Sequence, residues 1–332
     1  MELHNKKNNE VLQRDMILER FQKGELNTRK TFKLLTRINE KKEVEINRTE
    51  IFSSSFSGFD SSSYRESMAE LDELIGLEEV KSLIREYIAF LKVQKIREKF
   101  NLKNQSVVMH MIFKGNPGTG KTTVARIIGK IFSNIGYLED GELIEAERAD
   151  LVGEYIGHTA KKTKEMIEKS LGGVLFIDEA YALARGGKRD FGKEAIDTLV
   201  KSLEDHRDNL IVILAGYKEE MEYFLQQNPG LKSRFSIHLE FSDYSIEQLV
   251  KIAELMYKRR EYSLSENSRN YLFNLLKRIR NEEGKNKGNA RTVRNLVEKS
   301  IRHQAQRIIK MDNFTQKDLM SIKIEDLAGG RP

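Results

Sequence analysis

The chain has no cysteine, which excludes disulfides and any thiolate-based metal site. Its six histidines, His4, His110, His158, His206, His238 and His303, form no short-spaced pair, so a structural zinc is not expected either. No apolar run approaches the roughly 18 residues that a membrane helix needs; the longest candidates are Leu210 to Ala215 and Val174 to Ile177. The segment Met1 to Glu10 is charged and Asn-rich and lacks the apolar core of a secretory signal. These absences predict a cytoplasmic protein with no membrane partner. A length of 332 residues exceeds what one hydrophobic core usually supports, so two packed units and a tail are expected.

Charge is plentiful, at 33% of residues with a net of +6, but it is unevenly placed. Ser245 to Lys310 alone carries 16 Lys or Arg against 7 Asp or Glu, which leaves the rest of the chain slightly acidic. A basic segment of this kind suits nucleic acid, a bound polyphosphate or acidic neighbours, and solvated helix faces account for it equally well.

Apolar positions at helical spacing (Leu12, Met16, Phe32, Leu35, Ile38) predict one or two short amphipathic helices in the first 50 residues, too sparse for a core. Ser53 to Ser63 holds seven serines in eleven residues and reads as a linker. From Glu70 onward short Val/Ile-rich runs alternate with helical stretches. The expected strands are Val107 to Phe113, Leu143 to Ala146, Val174 to Ile177, Leu210 to Ala215 and Ile237 to Phe241. That alternation predicts an α/β domain with a parallel sheet covered on both faces. After Asp243 strands are expected to stop and three helices to follow, near 246–260, 266–280 and 290–309. The resulting division is 1–65 extension and linker, 66–244 α/β nucleotide-binding domain, and 245–332 helical domain with a C-terminal tail.

The first expected strand runs into Gly115-Asn116-Pro117-Gly118-Thr119-Gly120-Lys121-Thr122-Thr123, which satisfies the P-loop pattern G-x-x-x-x-G-K-[ST]. Glycines let backbone N–H groups curl round phosphates, and the following helix N-terminus adds its positive dipole. Lys121 is placed to meet the β and γ oxygens, and Thr122 offers a hydroxyl to Mg²⁺. A second apolar strand ends in Asp178-Glu179. Beside a P-loop, Asp178 can hold the water shell of Mg²⁺ while Glu179 polarises the attacking water as a general base. Guanine is disfavoured as the base, because neither Asn5-Lys6-Lys7-Asn8 nor Asn286-Lys287-Gly288-Asn289 supplies the aspartate of an Asn-Lys-x-Asp reader. ATP hydrolysis with Mg²⁺ is therefore the expected chemistry.

With these motifs in place, residues 71 to 309 resemble the AAA+ ATPase superfamily, and within it the subgroup of stage V sporulation protein K and the red-type Rubisco activases. The resemblance rests on Leu74-Ile75-Gly76-Leu77, the P-loop, Glu154-Tyr155-Ile156-Gly157-His158-Thr159, Leu175 to Ala180, Leu214-Ala215-Gly216-Tyr217, Asn228-Pro229-Gly230-Leu231-Lys232-Ser233-Arg234 and Gly288-Asn289-Ala290-Arg291. It implies a P-loop AAA+ module followed by a small all-α lid, assembled as a homo-hexameric ring that pulls on a protein segment in its pore. By the same resemblance, Ile75 and Gly76 pack on adenine and Arg234 is an arginine finger for the neighbour's nucleotide, with Lys232 as the competing cation. Arg291 is the arginine that links lid to phosphates, with Arg294 as the alternative. Tyr155 and Ile156 line the pore, and the loop Gly186 to Asp190 is a weaker second candidate. One departure stands out: the position after the fourth strand commonly carries Asn or Thr in the family, and here it reads Gly216-Tyr217. A Rubisco-activating role and a nucleic-acid motor or loader are the alternatives to a sporulation-type remodeller.

Overall fold

The computed structural model describes residues 61–104, 108–155, 157–186, 190–284 and 288–329. Two helices open the unit, α1 (Ser62–Asp72) and α2 (Glu78–Lys99). The α/β layer follows in the order β1 (Met111–Gly115), α3 (Lys121–Asn134), β2 (Leu143–Ala146), α4 (Arg148–Leu151), α5 (His158–Lys169), β3 (Val174–Ile177), a 3-10 turn at Ala180–Ala184, α6 (Gly192–Asp205), β4 (Ile211–Gly216), α7 (Lys218–Gln227), α8 (Pro229–Arg234) and β5 (Ile237–Phe241). All pairings are parallel and the strand order is β2-β3-β4-β1-β5.

Strands β3 and β4 are buried at every position, as expected for central strands covered by helices on both faces. β5 alternates buried and exposed residues, the pattern of an edge strand with one wet face. Because the strands are parallel, all their C-terminal ends lie along one rim, and β1 and β3 sit there with β4 between them. Ligands of open α/β sheets bind at that rim.

The lid is built from α9 (Ile246–Lys258), α10 (Glu266–Glu283) and α11 (Ala290–Ile309), packed around Leu249, Val250, Tyr257, Leu272, Leu276, Val293 and Val297. Helix α9 starts on a capping box, Ser245 with Gln248, which satisfies two helix-end donors.

Three expectations need correction. Strands do not stop at Asp243: β6 (Ser263–Leu264) pairs in parallel with β7 (Ser321–Ile322), a bridge too short to leave a periodic signal. Nor is the stretch beyond Lys310 merely a tail. It forms α12 (Gln316–Met320) and α13 (Ile324–Ala328), buries Ile322 and Leu327 in the lid core, and pairs buried Asp326 with Arg307 at 3.0 Å. Finally, Ser62 to Arg65, read as linker, already belong to α1, whose Ser63 carbonyl and Ser67 hydroxyl both accept from the Asn134 side chain. That anchorage to α3 supplies the order that serine-rich composition does not. The expected start of the first strand, Val107, lies outside the described residues, and β1 begins at Met111.

His110 ties the base of the sheet together. It is fully buried, its Nδ1 accepts from the Val212 amide at 3.1 Å, its Nε2 faces the Leu203 carbonyl at 3.4 Å, and its ring lies 5.6 Å from that of Phe235. Burial pushes its pKa down to about 4. In the unfolded chain the imidazole takes up a proton near pH 6.5, so between that pH and about 4 the unfolded state binds a proton that the folded state refuses. Stability is thus lost as pH falls through this window. Urea unfolding of wild type and His110→Gln at pH 7 and pH 4.5 measures the effect. Wild type should lose about 2–3 kcal/mol more than the variant between the two pH values, and equal losses would refute the assignment.

Candidate functional site

The phosphate loop leaves β1 at Gly115 and enters α3 at Lys121. Its shape is fixed from inside, with the Thr119 hydroxyl donating to the Asn116 carbonyl at 2.7 Å. The Lys121 ammonium folds back to donate to the carbonyls of Gly115 at 2.8 Å and Asn116 at 3.0 Å. Burial lowers the Lys121 pKa, Asp178 acts against that shift, Arg291 adds to it, and Glu179 again opposes it. Two consecutive carboxylates at the end of β3 and a second cation on α11 therefore act electrostatically on this one ammonium.

Asp178 and Glu179 follow the buried strand β3 directly. The Asp178 amide donates to Ala146 at 3.0 Å, continuing the β2–β3 ladder, and its carboxylate accepts the Glu179 amide at 2.9 Å. Glu179 has a left-handed backbone, φ 46° and ψ 42°, a conformation that costs a residue with a Cβ roughly 1–2 kcal/mol. The turn turns its exposed side chain out of the sheet, and the Ala182 amide closes it on the Glu179 carbonyl at 2.7 Å. Thr122 is half-buried in the first turn of α3, and its neighbour Thr123 is exposed.

The lid closes directly onto this loop. The Ala290 amide, at the start of α11, donates to the Gly118 carbonyl at 3.0 Å, and the Tyr244 hydroxyl donates to the Thr119 carbonyl at 3.0 Å. A single oxygen of Asp243 accepts from Asn116 at 2.9 Å and from Asn289 at 2.8 Å, while the Asn289 side-chain oxygen takes the Tyr244 amide at 3.1 Å. Gly118 (φ +71°) has to be glycine, because a Cβ there would collide with the Gly288 carbonyl and lie 2.7 Å from the Arg291 amide. Arg280 donates to the Tyr244 carbonyl at the same domain boundary. Asp243, Tyr244 and Asn289 had no role in the sequence reading. Asn289 lay inside a quoted motif, and its fully polar, 2%-exposed side chain is the signal that only the structure supplies.

Of the other anticipated residues, Ile75 packs on the lid core beside Leu77, and a Cβ on Gly76 (φ +66°) would approach Gln248 of α9, so this segment lines the seam between the two domains. Arg291 reaches the electrostatic environment of Lys121; Arg294, one helical turn further along α11, does not figure among the groups that shift it. Arg234 and Lys232 sit on α8. Arg234 donates to the Gly230 carbonyl at 3.0 Å and pairs with Glu204 of α6, while its Nε is buried without a partner. Tyr155 is 66% exposed in the loop between α4 and α5 and stacks edge-on against His158 at 5.5 Å. Ile156 and residues 187–189 lie outside the described residues. At the end of β4 the absence of a polar side chain has a steric cause: a Cβ on Gly216 would lie 2.8 Å from the Tyr181 ring.

The arrangement fits nucleoside triphosphate hydrolysis, with backbone and ammonium donors for phosphates, two carboxylates at the end of β3 one strand away, and a cation from the lid. Among the described residues no helix is long and apolar enough to cross a membrane.

Comparison with known proteins agrees with this geometry. Residues 111–243 match the model for the ATPase family associated with various cellular activities (AAA), and residues 245–330 match the AAA lid domain. The chain is 55% identical over 260 residues to stage V sporulation protein K of Bacillus subtilis, covering 78% of this chain and 81% of that protein. It is 43% identical over 277 residues to the chloroplastic ribulose bisphosphate carboxylase/oxygenase activase of Cyanidioschyzon merolae, covering 82% and 94%. Among solved structures, the FIGL-1 AAA domain in complex with ADP superposes with a TM-score of 0.54 at 17% identity, over 78% of this chain and 82% of that one, a likeness of fold. A phosphate loop clamped by a helical lid, together with these matches, identifies the chain as an ATP-hydrolysing member of the AAA family, related to stage V sporulation protein K and to the Rubisco activases.

Proposed function

We propose that the protein is a ring-forming, ATP-driven remodelling motor of the stage V sporulation protein K type, which engages a segment of a substrate protein through Tyr155. The observation that carries this reading is the hydrogen-bonded clamp between phosphate loop and lid. Phosphates entering the loop compete for Lys121, which now bonds the Gly115 and Asn116 carbonyls. Those carbonyls belong to the loop whose Gly118 and Thr119 oxygens hold α11 and Tyr244. A change in the loop therefore tilts the whole lid, which is how a hydrolytic cycle becomes movement.

Lys121 and Arg291 take the phosphate charge, and Glu179 orients and deprotonates the attacking water. The Thr122 hydroxyl and Asp178 carboxylate are hard oxygen donors that fit Mg²⁺, which when bound neutralises charge on the β and γ oxygens. Arg234 completes the site of the next protomer in a homo-hexamer, leaving its Glu204 partner to do so. Ile75 and Gly76, at the seam, wall the adenine. Tyr155, an exposed aromatic well outside these contacts, supplies a grip that depends little on sequence. The 43% identity to a Rubisco activase keeps a Rubisco-type enzyme as the alternative substrate.

Loss of Lys121 and loss of Glu179 should give different defects. Lys121→Ala should weaken binding of a fluorescent ATP analogue at least tenfold, whereas Glu179→Gln should bind ATP normally and turn over roughly 10²- to 10⁴-fold more slowly. Equal affinities in the two variants would contradict the roles.

Arg234→Ala should fold normally and lose about 10³-fold or more in turnover. Mixed rings of Arg234→Ala and Lys121→Ala subunits should recover activity where an intact Arg234 faces an intact Lys121, and absence of rescue in verified mixtures would remove the trans role.

Tyr155→Ala should keep its basal ATPase rate and lose stimulation by an unfolded polypeptide such as casein. If stimulation survives, the loop does not grip substrate; if basal turnover collapses as well, Tyr155 serves the fold or an interface.

A further inference from the structure

Lys81, near the start of α2, has no part in the site described so far, and it is buried, only 4% exposed. An ammonium taken out of water is costly unless its hydrogens are bonded. Here they go to one short stretch of backbone: Nζ donates to the Leu74 carbonyl at 2.5 Å and to the Asp72 carbonyl at 3.3 Å, with the exposed Glu78 carboxylate 3.6 Å away. Asp72 closes α1, whose last carbonyls lack intrahelical partners. A glycine after the helix would satisfy such groups without burying a charge, so ending α1 does not by itself explain a lysine.

We propose that Lys81 is a positioning residue for the base of the bound nucleotide, its ammonium holding the turn Ile75-Gly76 at the end of the phosphate loop, a role that rests on the reading of these two residues as the adenine wall. The turn has little to hold itself. Gly76 (φ 66°) and Leu77 (φ 61°) are consecutive left-handed residues, a backbone that is unfavourable for Leu77 with its Cβ. Among the described residues, neither Ile75 nor Gly76 makes a backbone hydrogen bond. Both are instead pinned from either side by one residue: the Lys81 side chain holds the Leu74 carbonyl, and the Lys81 amide donates to the Leu77 carbonyl at 2.9 Å. The Leu74 amide bonds back to the Leu71 carbonyl at 3.3 Å, and Glu70 of α1 pairs with Lys130 of α3 at 2.8 Å. Lys81 thereby fixes the turn relative to the helix that begins with Lys121.

The opposite side of the turn faces the phosphate loop and the lid together. Leu77 Cδ1 lies 3.6 Å, and the Tyr244 hydroxyl 3.3 Å, from where a Cβ on Gly120 would sit, and Gly120 is the last residue before α3. A Cβ on Gly76 would lie 2.6 Å from Gln248 Nε2 and 3.6 Å from Tyr244 Cε1, while Ile75 and Leu77 pack on the lid core. Little space is left in this seam. A turn that drifted inward would drive Gly76 into Gln248, and one that drifted outward would withdraw Ile75 from whatever the phosphate loop holds beside it. A flat base gains most from a wall already in place, because a loose one must first be ordered at the expense of binding. The phosphate contacts, made by the loop and Lys121, do not depend on this turn.

The decisive variant is Lys81→Met, which keeps an unbranched side chain of similar length and removes the donors. Titration calorimetry on the full chain with ADP, GDP and inorganic pyrophosphate separates base from phosphate without turnover. ADP affinity should fall roughly tenfold, the preference for ADP over GDP should narrow, and pyrophosphate affinity should stay within about twofold of wild type. In turnover the loss should lie in the KM for ATP rather than in kcat. Unchanged ADP affinity overturns the proposal, and so does an equal loss for ADP and pyrophosphate, which would mark a general weakening of the site. Should Lys81→Met not fold, Lys81→Gln, shorter and neutral, is held to the same readings; if neither folds, Lys81 serves stability alone and the proposal falls. Ile75→Ala separates this failure from failure of the underlying reading. If Ile75→Ala leaves the ratio of ADP to pyrophosphate affinity at its wild-type value, the turn does not wall the base; if it lowers the ratio while Lys81→Met does not, only the positioning role of Lys81 fails.

Discussion

The contact between the phosphate loop and the first turn of α11 is the constraint on which the molecule's logic depends. Backbone carbonyls in a loop of this kind ordinarily face water or their own helix. Here the Gly118 and Thr119 carbonyls are used to hold a second domain, through the Ala290 amide and the Tyr244 hydroxyl. Such bonds are possible only because Gly118 has no Cβ, so that the lid backbone approaches as closely as a neighbouring strand would. Asp243 adds specificity by sharing one oxygen between an asparagine of the loop and an asparagine of the lid. The bonds are individually modest, about 0.5–1.5 kcal/mol each for neutral groups, which is compatible with the proposed remaking of the joint in each cycle.

The layer architecture was readable because burial writes itself into β3 and β4 as unbroken apolar runs, and because the phosphate loop is local in sequence. Runs of that kind need no partner to be recognised. The joint between domains was not readable for the opposite reason. Asn116 and Asp243 are 127 positions apart, Tyr244 and Thr119 are 125 apart, and nothing in the spacing of either announces the other. Tyr244 lies at the boundary between the two domains and also bonds across it to the phosphate loop, its hydroxyl pKa raised to about 12 by burial. The β6–β7 bridge escaped for the same reason, as did the folding of residues 316–328 onto α11. Gly216 was visible as a departure from the expected pattern, but its cause, the ring of Tyr181, lies on another strand's turn.

Arg234 shows how a residue can be held ready. In the single chain its guanidinium is already oriented by the Gly230 carbonyl and by Glu204 on an exposed helix face. Exposed ion pairs of this sort contribute little to stability, so the exchange of Glu204 for a neighbour's phosphate that we propose for Arg234 would require little sacrifice. The unpartnered Nε leaves one donor to be satisfied elsewhere.

The closure of the lid by β7 and α13 sets an order of events during synthesis. Every strand of the five-stranded sheet is complete once residue 241 has emerged, so the phosphate loop can form early, on a sheet that needs nothing downstream. The lid core, by contrast, awaits Ile322 and Leu327, and Arg307 awaits the Asp326 carboxylate that neutralises it. A nascent chain therefore has the strands that frame a nucleotide-binding face before it has a completed lid core, which closes only when the last helix docks.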